Sequence, residues 1–280
     1  MKRVIALLPL FLLVLQAGAF SQDKTPLPSI PWNTPAPGLS FYRWEVRNRE
    51  TLLDTLVILR LQPELWAFRV FFNREPKTMK EWQQTTGAPI LCNGGFYQEN
   101  FLPAGRILVN GTSIGPFNNK AMKGMLLSEP KKGFEALPKA TLIDLKDPQS
   151  EQLIASYEQG IQSFPILLDS KGRVRVDESS FQANRTILAR DRQGILYLII
   201  TEKPYFTLYR LGHYLKELPL GLELVLNLDG GTRTQLHIQV KQFKYLFEGQ
   251  GNSLEPARLF SPDRAVKLPT VLGIFPRSSP

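Results

Sequence analysis

Two points in the sequence set a polar side chain and a pair of glycines at the end of an apolar run. Pro89-Ile90-Leu91-Cys92 leads into Asn93-Gly94-Gly95-Phe96-Tyr97, and residues 222–228 lead into Asp229-Gly230-Gly231. A carboxamide or carboxylate leaving a sheet beside residues without a Cβ can meet a ligand while backbone amides approach it closely. Strand ends are also where open sheets with helical crossovers gather their sites. Taken singly, each corner reads equally as a tight turn closed by an Asx hydrogen bond. Two of one design in the same chain point towards a site.

Other chemistry-bearing patterns are weaker. Gly111-Thr112-Ser113-Ile114-Gly115 matches the Gly-x-Ser-x-Gly pattern of a hydrolase nucleophile, with Asp229 and His237 later in the chain. That nucleophile requires a strand before it and a helix after it. Here Asn110-Gly111 signals a hairpin and Pro116 follows at once, which argues against a serine hydrolase. The two histidines, His213 and His237, with the single Cys92, are too few for a zinc site of histidines and cysteines. No cofactor is expected; a hard divalent cation held by carboxylates and carbonyls stays open, without a spacing that demands it. The apolar neighbours of Cys92 mark it as a buried core thiol.

The elements that must position these residues are mostly strands. Apolar runs of strand length fall at 55–61, 66–72, 89–92, 106–109, 164–168, 173–176, 186–189, 195–201, 222–228 and 235–240. Three segments carry helical punctuation instead. Thr78-Met79-Lys80-Glu81 is a capping box, and Gly87 closes its helix. Asp147-Pro148 predicts a second helix with Gly160 as its stop, and Thr207 caps a third whose Leu208, Leu211, Leu215 and Leu218 form a core stripe. The fold class expected is α+β, a single domain with a large mixed β-sheet system and about three helices.

With these blocks in order, the chain resembles the phosphodiester glycosidase family. The resemblance rests on Asn93-Gly94-Gly95-Phe96-Tyr97, on Gly160-Ile161-Gln162-Ser163-Phe164-Pro165-Ile166-Leu167, on Arg185-Thr186-Ile187-Leu188-Ala189, and on residues 226–236 around Asp229-Gly230-Gly231-Thr232-Arg233-Thr234. It spans roughly 89–272 and includes a closing strand in 264–273. The chain departs from the family at Phe164, where relatives often carry glycine, and at Thr232-Arg233-Thr234, where they commonly read Gly-Ser-Thr. The first narrows a pocket and the second adds a cation.

The reaction this resemblance implies is hydrolysis of the bond between a sugar's anomeric carbon and a phosphodiester oxygen. Departure of phosphate leaves an oxocarbenium-like centre that a carboxylate can stabilise, attack or supply with an activated water. Asp229 is the expected carboxylate and Arg185, whose planar fork stays charged, the expected phosphate clamp, with Arg233 a second candidate. Asn93 is expected to position sugar hydroxyls or the water. Gly94, Gly95, Gly230 and Gly231 can turn amides towards an oxyanion, and Phe96, Gln162, Ser163 and Thr234 complete the substrate-binding set. Glu99 reads as a solvated loop carboxylate. The implied partner is a carbohydrate or sugar phosphodiester. A non-catalytic glycan binder on the same scaffold is the competing reading.

The whole chain has 280 residues, 43% of them hydrophobic, which excludes wholesale disorder, and its single cysteine excludes a disulfide-stapled mini-protein. Lys2-Arg3, an apolar run from Val4 to Leu15 and Ala17-Gly18-Ala19 read as a signal peptide over 1–19, too short to span a bilayer. The expected destination is periplasmic or extracellular, with no membrane span after its removal. Residues 20–40, with five prolines between Pro26 and Pro37, read as a tether to a domain over 41–280. The formal charge of +9 suits polyanionic partners, but the basic residues are spread out and no nucleic-acid module is present.

Overall fold

An extended chain sends alternate side chains to opposite faces, so a strand apolar at nearly every position needs cover on both sides. The computed structural model, which describes residues 30–249 and 266–277, supplies that cover. In chain order the elements are β1 (Asn33–Ala36), β2 (Leu39–Asn48), β3 (Thr51–Leu61), β4 (Trp66–Lys77), α1 (Met79–Thr86) and β5 (Ile90–Asn93). Then come β6 (Ile107–Val109), β7 (Thr112–Ile114), β8 (Gly124–Pro130), β9 (Ala140–Asp144), α2 (Ser150–Ala155), β10 (Tyr157–Ser163) and β11 (Ile166–Leu168). The chain continues with β12 (Thr186–Asp191), β13 (Leu196–Thr201), α3 (Leu208–Glu217), β14 (Leu222–Asn227), β15 (Gln235–Val240), β16 (Phe243–Glu248) and β17 (Leu268–Pro276).

The strands form a seven-stranded sheet ordered β1-β2-β3-β13-β12-β14-β11 and two five-stranded sheets, β7-β6-β10-β8-β9 and β16-β15-β5-β17-β4. The α+β, single-domain expectation holds, but its mixed sheet is corrected. Every strand pair among the described residues is antiparallel. The reason is visible in the connections: β2 and β3, or β6 and β7, are joined by tight turns, whereas parallel neighbours need long crossovers.

One face of each sheet meets the others in a common core. Val57, Leu59 and Leu61 of β3 join Leu126 and Ile161 of the second sheet and Ile90, Cys92 and Leu272 of the third. The alternate residues Leu56 and Ile58 face the other way and pack with Leu211 and Leu215 of α3. Met79 and Trp82 of α1 cover Leu91 and Val271 on the third sheet, and Ile154 of α2 covers Met125 and Leu127 on the second. Each sheet therefore carries one helix on its outer face. Fully burying a leucine such as Leu215 contributes roughly 1.5–3 kcal/mol.

The capping signals hold for the first and third helices, and the second helix forms with other bounds than its signals predict. Thr78 and Glu81 form the capping box of α1, and Gly87 ends it in the left-handed region at φ 65°. The Thr207 side chain accepts the Arg210 N–H to cap α3. By contrast α2 begins after Gln149 and stops at Ser156; Asp147 instead accepts the Gln149 N–H, and Gly160 lies inside β10. The position is close-packed: a Cβ on Gly160 would meet Met125 Cε at 2.5 Å, a side-chain end that can move, and the Leu126 carbonyl oxygen at 3.1 Å. The tether is also corrected. Residues 33–36 are strand β1 and residues 39–40 open β2, an edge position that tolerates Pro35. The predicted signal peptide and residues 20–29 lie outside the described residues.

Candidate active site

The ends of β5, β10 and β14 come from three different sheets and meet at one place. Asn93 closes β5, and its buried side chain ties the meeting point together. Its Nδ2 donates to Asp229 O at 2.8 Å, and its Oδ1 accepts from Thr186 Oγ1 at 2.8 Å and from Gln235 N at 3.2 Å. The two diglycine corners therefore converge. Asn93 is 1% exposed and its hydrogen bonds are spent on the protein, so it acts as a brace where the sequence suggested a contact with sugar or water.

The glycines owe their identity to close packing. Gly94 N donates to Thr270 O at 3.0 Å, and a Cβ on Gly94 would lie 2.8 Å from that oxygen. A Cβ on Gly95 would lie 3.0 Å from Gln162 O, and one on Gly230 2.7 Å from Asn184 O. Gly231, at φ 65°, donates its N–H to Asn184 O, and Gly230 N donates to Asp229 Oδ1 at 2.8 Å. The amides of Gly94, Gly230 and Gly231 are thus internally bonded, which corrects the expectation that they face an oxyanion. At Asp229 the local side-chain hydrogen bond of the turn reading is also present.

A cavity of about 400 Å³ opens beside the second corner, lined by Asp229, Gly230, Gly231, Arg233, Arg185 and Phe96 among others. Asp229 is the one carboxylate among its described lining residues. Burial pushes its carboxyl up from 3.8 to about 6, opposed by the Arg233 charge and by the Gly230 N–H. Arg233 Nε stands 3.6 Å from Asp229 Oδ2 and donates to the Tyr97 hydroxyl at 2.8 Å, with the guanidinium over the tyrosine ring. Arg185 is 5% exposed, and burial lowers it to about 10, so it remains a cation at neutral pH. It donates from Nη2 to Phe181 O at 2.9 Å and stacks over the Phe181 ring, and among the described residues it has no carboxylate partner.

Phe164 lines the same cavity and packs against Phe96, with ring centroids 4.5 Å apart, so the departure from glycine does narrow it. Asn227, two residues before Asp229, was not singled out by sequence. It lines the cavity at 3% exposure, its Nδ2 donates to Phe164 O, and its Oδ1 has no partner among the described residues. A polar side chain two residues before Asp229, and therefore on the same side of the extended chain, was the available signal.

The remaining candidates lie elsewhere. Gln162 Oε1 accepts the Arg106 N–H, and Gln162 lines a different cavity. Ser163 and Thr234 are fully buried beside the corners, each with a hydroxyl that has no partner among the described residues. Gly94 and Gly95, which form the first corner, do not line the cavity at Asp229. Glu99 is exposed on its loop. Ser113 lies in the hairpin strand β7, which is followed by β8 with no helix between them, so the strand–turn–helix context of a nucleophile elbow is absent. No group of three or more potential metal ligands occurs among the described residues.

The phosphodiester glycosidase family model matches residues 86–275, and the chain belongs to that family. No curated protein matches it. Among solved structures, a hypothetical protein from Synechocystis is 14% identical with a TM-score of 0.60, covering 90% of this chain and 64% of that one. The chain thus spans less than two thirds of the Synechocystis protein. The catalytic domain of zebrafish N-acetylglucosamine-1-phosphodiester alpha-N-acetylglucosaminidase, auto-inhibited by its pro-peptide, is 15% identical with a TM-score of 0.60. That match covers 88% of this chain and 86% of the zebrafish one. At these identities the likeness concerns the fold.

Proposed function

We propose that this protein is an exported hydrolase that cleaves the glycosidic bond of a sugar-1-phosphodiester in a cell-envelope or extracellular glycan. The observation that supports this reading is that one buried carboxylate and two guanidinium groups line the same cavity of about 400 Å³, with Arg233 Nε 3.6 Å from Asp229 Oδ2. No described helix is long and apolar enough to cross a membrane, a finding that does not extend to strands. Export itself rests on the sequence of residues 1–19.

In the proposed reaction Arg185, with Arg233 at the mouth, takes the phosphate and stabilises it as it departs. A charge-assisted contact from a buried guanidinium is stronger than one in water. Phosphate is a weakly basic leaving group, so a single carboxylate suffices where ordinary glycosidases use two. Asp229, ionised above pH about 6, stabilises the developing positive charge at the anomeric carbon and directs the attacking nucleophile. Phe96 and Phe164 wall the sugar from water, and Asn227 Oδ1 accepts from a sugar hydroxyl or amide. Asn93 holds the two corners at fixed separation. Incubating the purified protein with a panel of sugar-1-phosphodiesters and measuring free sugar tests the reading. Saturable binding without turnover would establish the non-catalytic alternative.

A further inference from the structure

The second cavity, of about 460 Å³, is larger than the one at Asp229 and has a different character. Three lysines line it: Lys120, Lys123 and Lys146. Its one lining carboxylate, Glu151, accepts from Arg106 Nη2 at 2.7 and 2.8 Å, so that charge is already matched. The lysines leave the cavity with a local positive surplus. Lys123 Nζ donates to Lys120 O at 2.6 Å, which holds two of the three ammonium-bearing segments together.

The wall also carries an aromatic surface. Phe117 is 61% exposed, an unusual placement for a phenyl ring, and the Arg106 guanidinium lies over the ring, 5.1 Å from its centre. An exposed aromatic ring beside hydrogen-bonding amides and ammonium groups suits a saccharide that carries a negative charge: the ring offers its apolar face and the ammonium groups meet the anion. Asn118, Asn119 and Gln162 also line this cavity.

The linings of the two cavities come within two residues of each other on one stretch of chain. Gln162 lines this one and Phe164 lines the one at Asp229, with buried Ser163 between them. Two residues of extended chain span roughly 7 Å. Lys123 N donates to Ser163 O at 2.9 Å, which anchors the lysine segment to that strand end.

We propose that the lysine-lined cavity is a subsite for an anionic saccharide unit, so that the substrate is a glycan bearing a further negative charge beyond the phosphodiester that is cleaved. The inference rests on the proposed function for the substrate's second half. The ligand chemistry, a sugar ring with a phosphate or a carboxylate, stands on the cavity alone. The charge is supplied at a distance from the reacting bond, so it contributes to binding and leaves the chemical step to Asp229 and Arg185.

Calorimetric titration of the full mature chain tests this with three probes: glucose 6-phosphate, a hyaluronan tetrasaccharide and the uncharged cellotetraose. The subsite predicts saturable binding of at least one charged probe, with no saturable binding of cellotetraose over the same concentrations. The tighter of the two charged probes distinguishes phosphate from carboxylate. Binding weakens at least tenfold in the combined Lys120→Gln, Lys123→Gln, Lys146→Gln variant. Phe117→Ala and Lys123→Gln alone each weaken it less, and these serve if the triple variant unfolds at a lower temperature. Charged-probe binding that is unchanged by the lysine replacements, equal binding of cellotetraose, or no saturable binding of either charged probe overturns the subsite. Turnover separates the two proposals: lysine-dependent binding without hydrolysis of any sugar phosphodiester removes the proposed function and leaves the subsite standing. Hydrolysis without lysine-dependent binding does the reverse.

Discussion

Replacing Asp229 by asparagine should inactivate the protein and stabilise it at the same time. Burial raises this carboxyl from 3.8 to about 6, so its charged form is disfavoured in the folded chain relative to the unfolded one. At about 1.4 kcal/mol per pH unit, the folded protein gives up as much as about 3 kcal/mol above pH 6 by holding Asp229 there. The sign follows from the raised value. Below about pH 4 the carboxyl is neutral in both states and costs nothing. Between about 4 and 6 only the unfolded chain ionises and wild-type stability falls; above about 6 the loss is complete. Asparagine is neutral throughout and keeps the acceptor oxygen for the Gly230 N–H. Urea unfolding of both proteins from pH 4 to 8 should therefore show a gap in favour of Asp229→Asn that opens between pH 4 and 6 and then levels off. Asp54 is also raised to about 6 by burial, but it is common to both proteins and cancels in the difference. A variant less stable than wild type at every pH, or a gap that does not change with pH, would refute the reasoning and return Asp229 to the role of a turn cap.

Three further outcomes follow from other parts of the site. Arg185→Ala should lower kcat/KM on a sugar phosphodiester by about 10²–10³-fold, and Arg185→Lys should not restore it because the planar fork is lost; steady-state kinetics check this. Gly94→Ala forces a Cβ to within 2.8 Å of Thr270 O and should cost about 1–3 kcal/mol in chemical denaturation, whereas an unchanged midpoint would show that the corner can relax. Cys92, fully buried with its thiol pushed up by desolvation, should resist a disulfide reagent in the native protein and react as one thiol per chain in denaturant.

The two corners were legible in the sequence because strand-ending diglycines report a demand that is local in its residue types, even though their packing partners, Thr270 and Asn184, lie far away in the chain. What they do with their amides was not legible, since hydrogen bonds to distant carbonyls depend on which sheets meet there. Asn93 shows the same limit: its residue type suits a ligand contact, and only the tertiary arrangement reveals that Thr186, Gln235 and Asp229 use it. Gln162 shows it again: its residue type suits a substrate contact, and only the tertiary arrangement reveals that its Oε1 is used by the Arg106 N–H. Strand β2 carries an alternating half-buried pattern through Tyr42, Arg43, Trp44 and Glu45, so it lacks the predominantly apolar stretches, such as Leu56–Leu59 and Leu224–Leu226, that marked β3 and β14. The closed capping box of α1 is a wholly local device and was readable to the residue.

In the proposed reaction the bond broken lies between the anomeric carbon and the phosphate oxygen. Hydrolysis of a sugar-1-phosphodiester in ¹⁸O-labelled water, with the phosphate product read by the isotope shift in its ³¹P resonance, tests it most directly. Cleavage on the carbon side gives a phosphomonoester free of label, the solvent oxygen having gone to the sugar. Label in the phosphate would mean attack at phosphorus and would contradict the account.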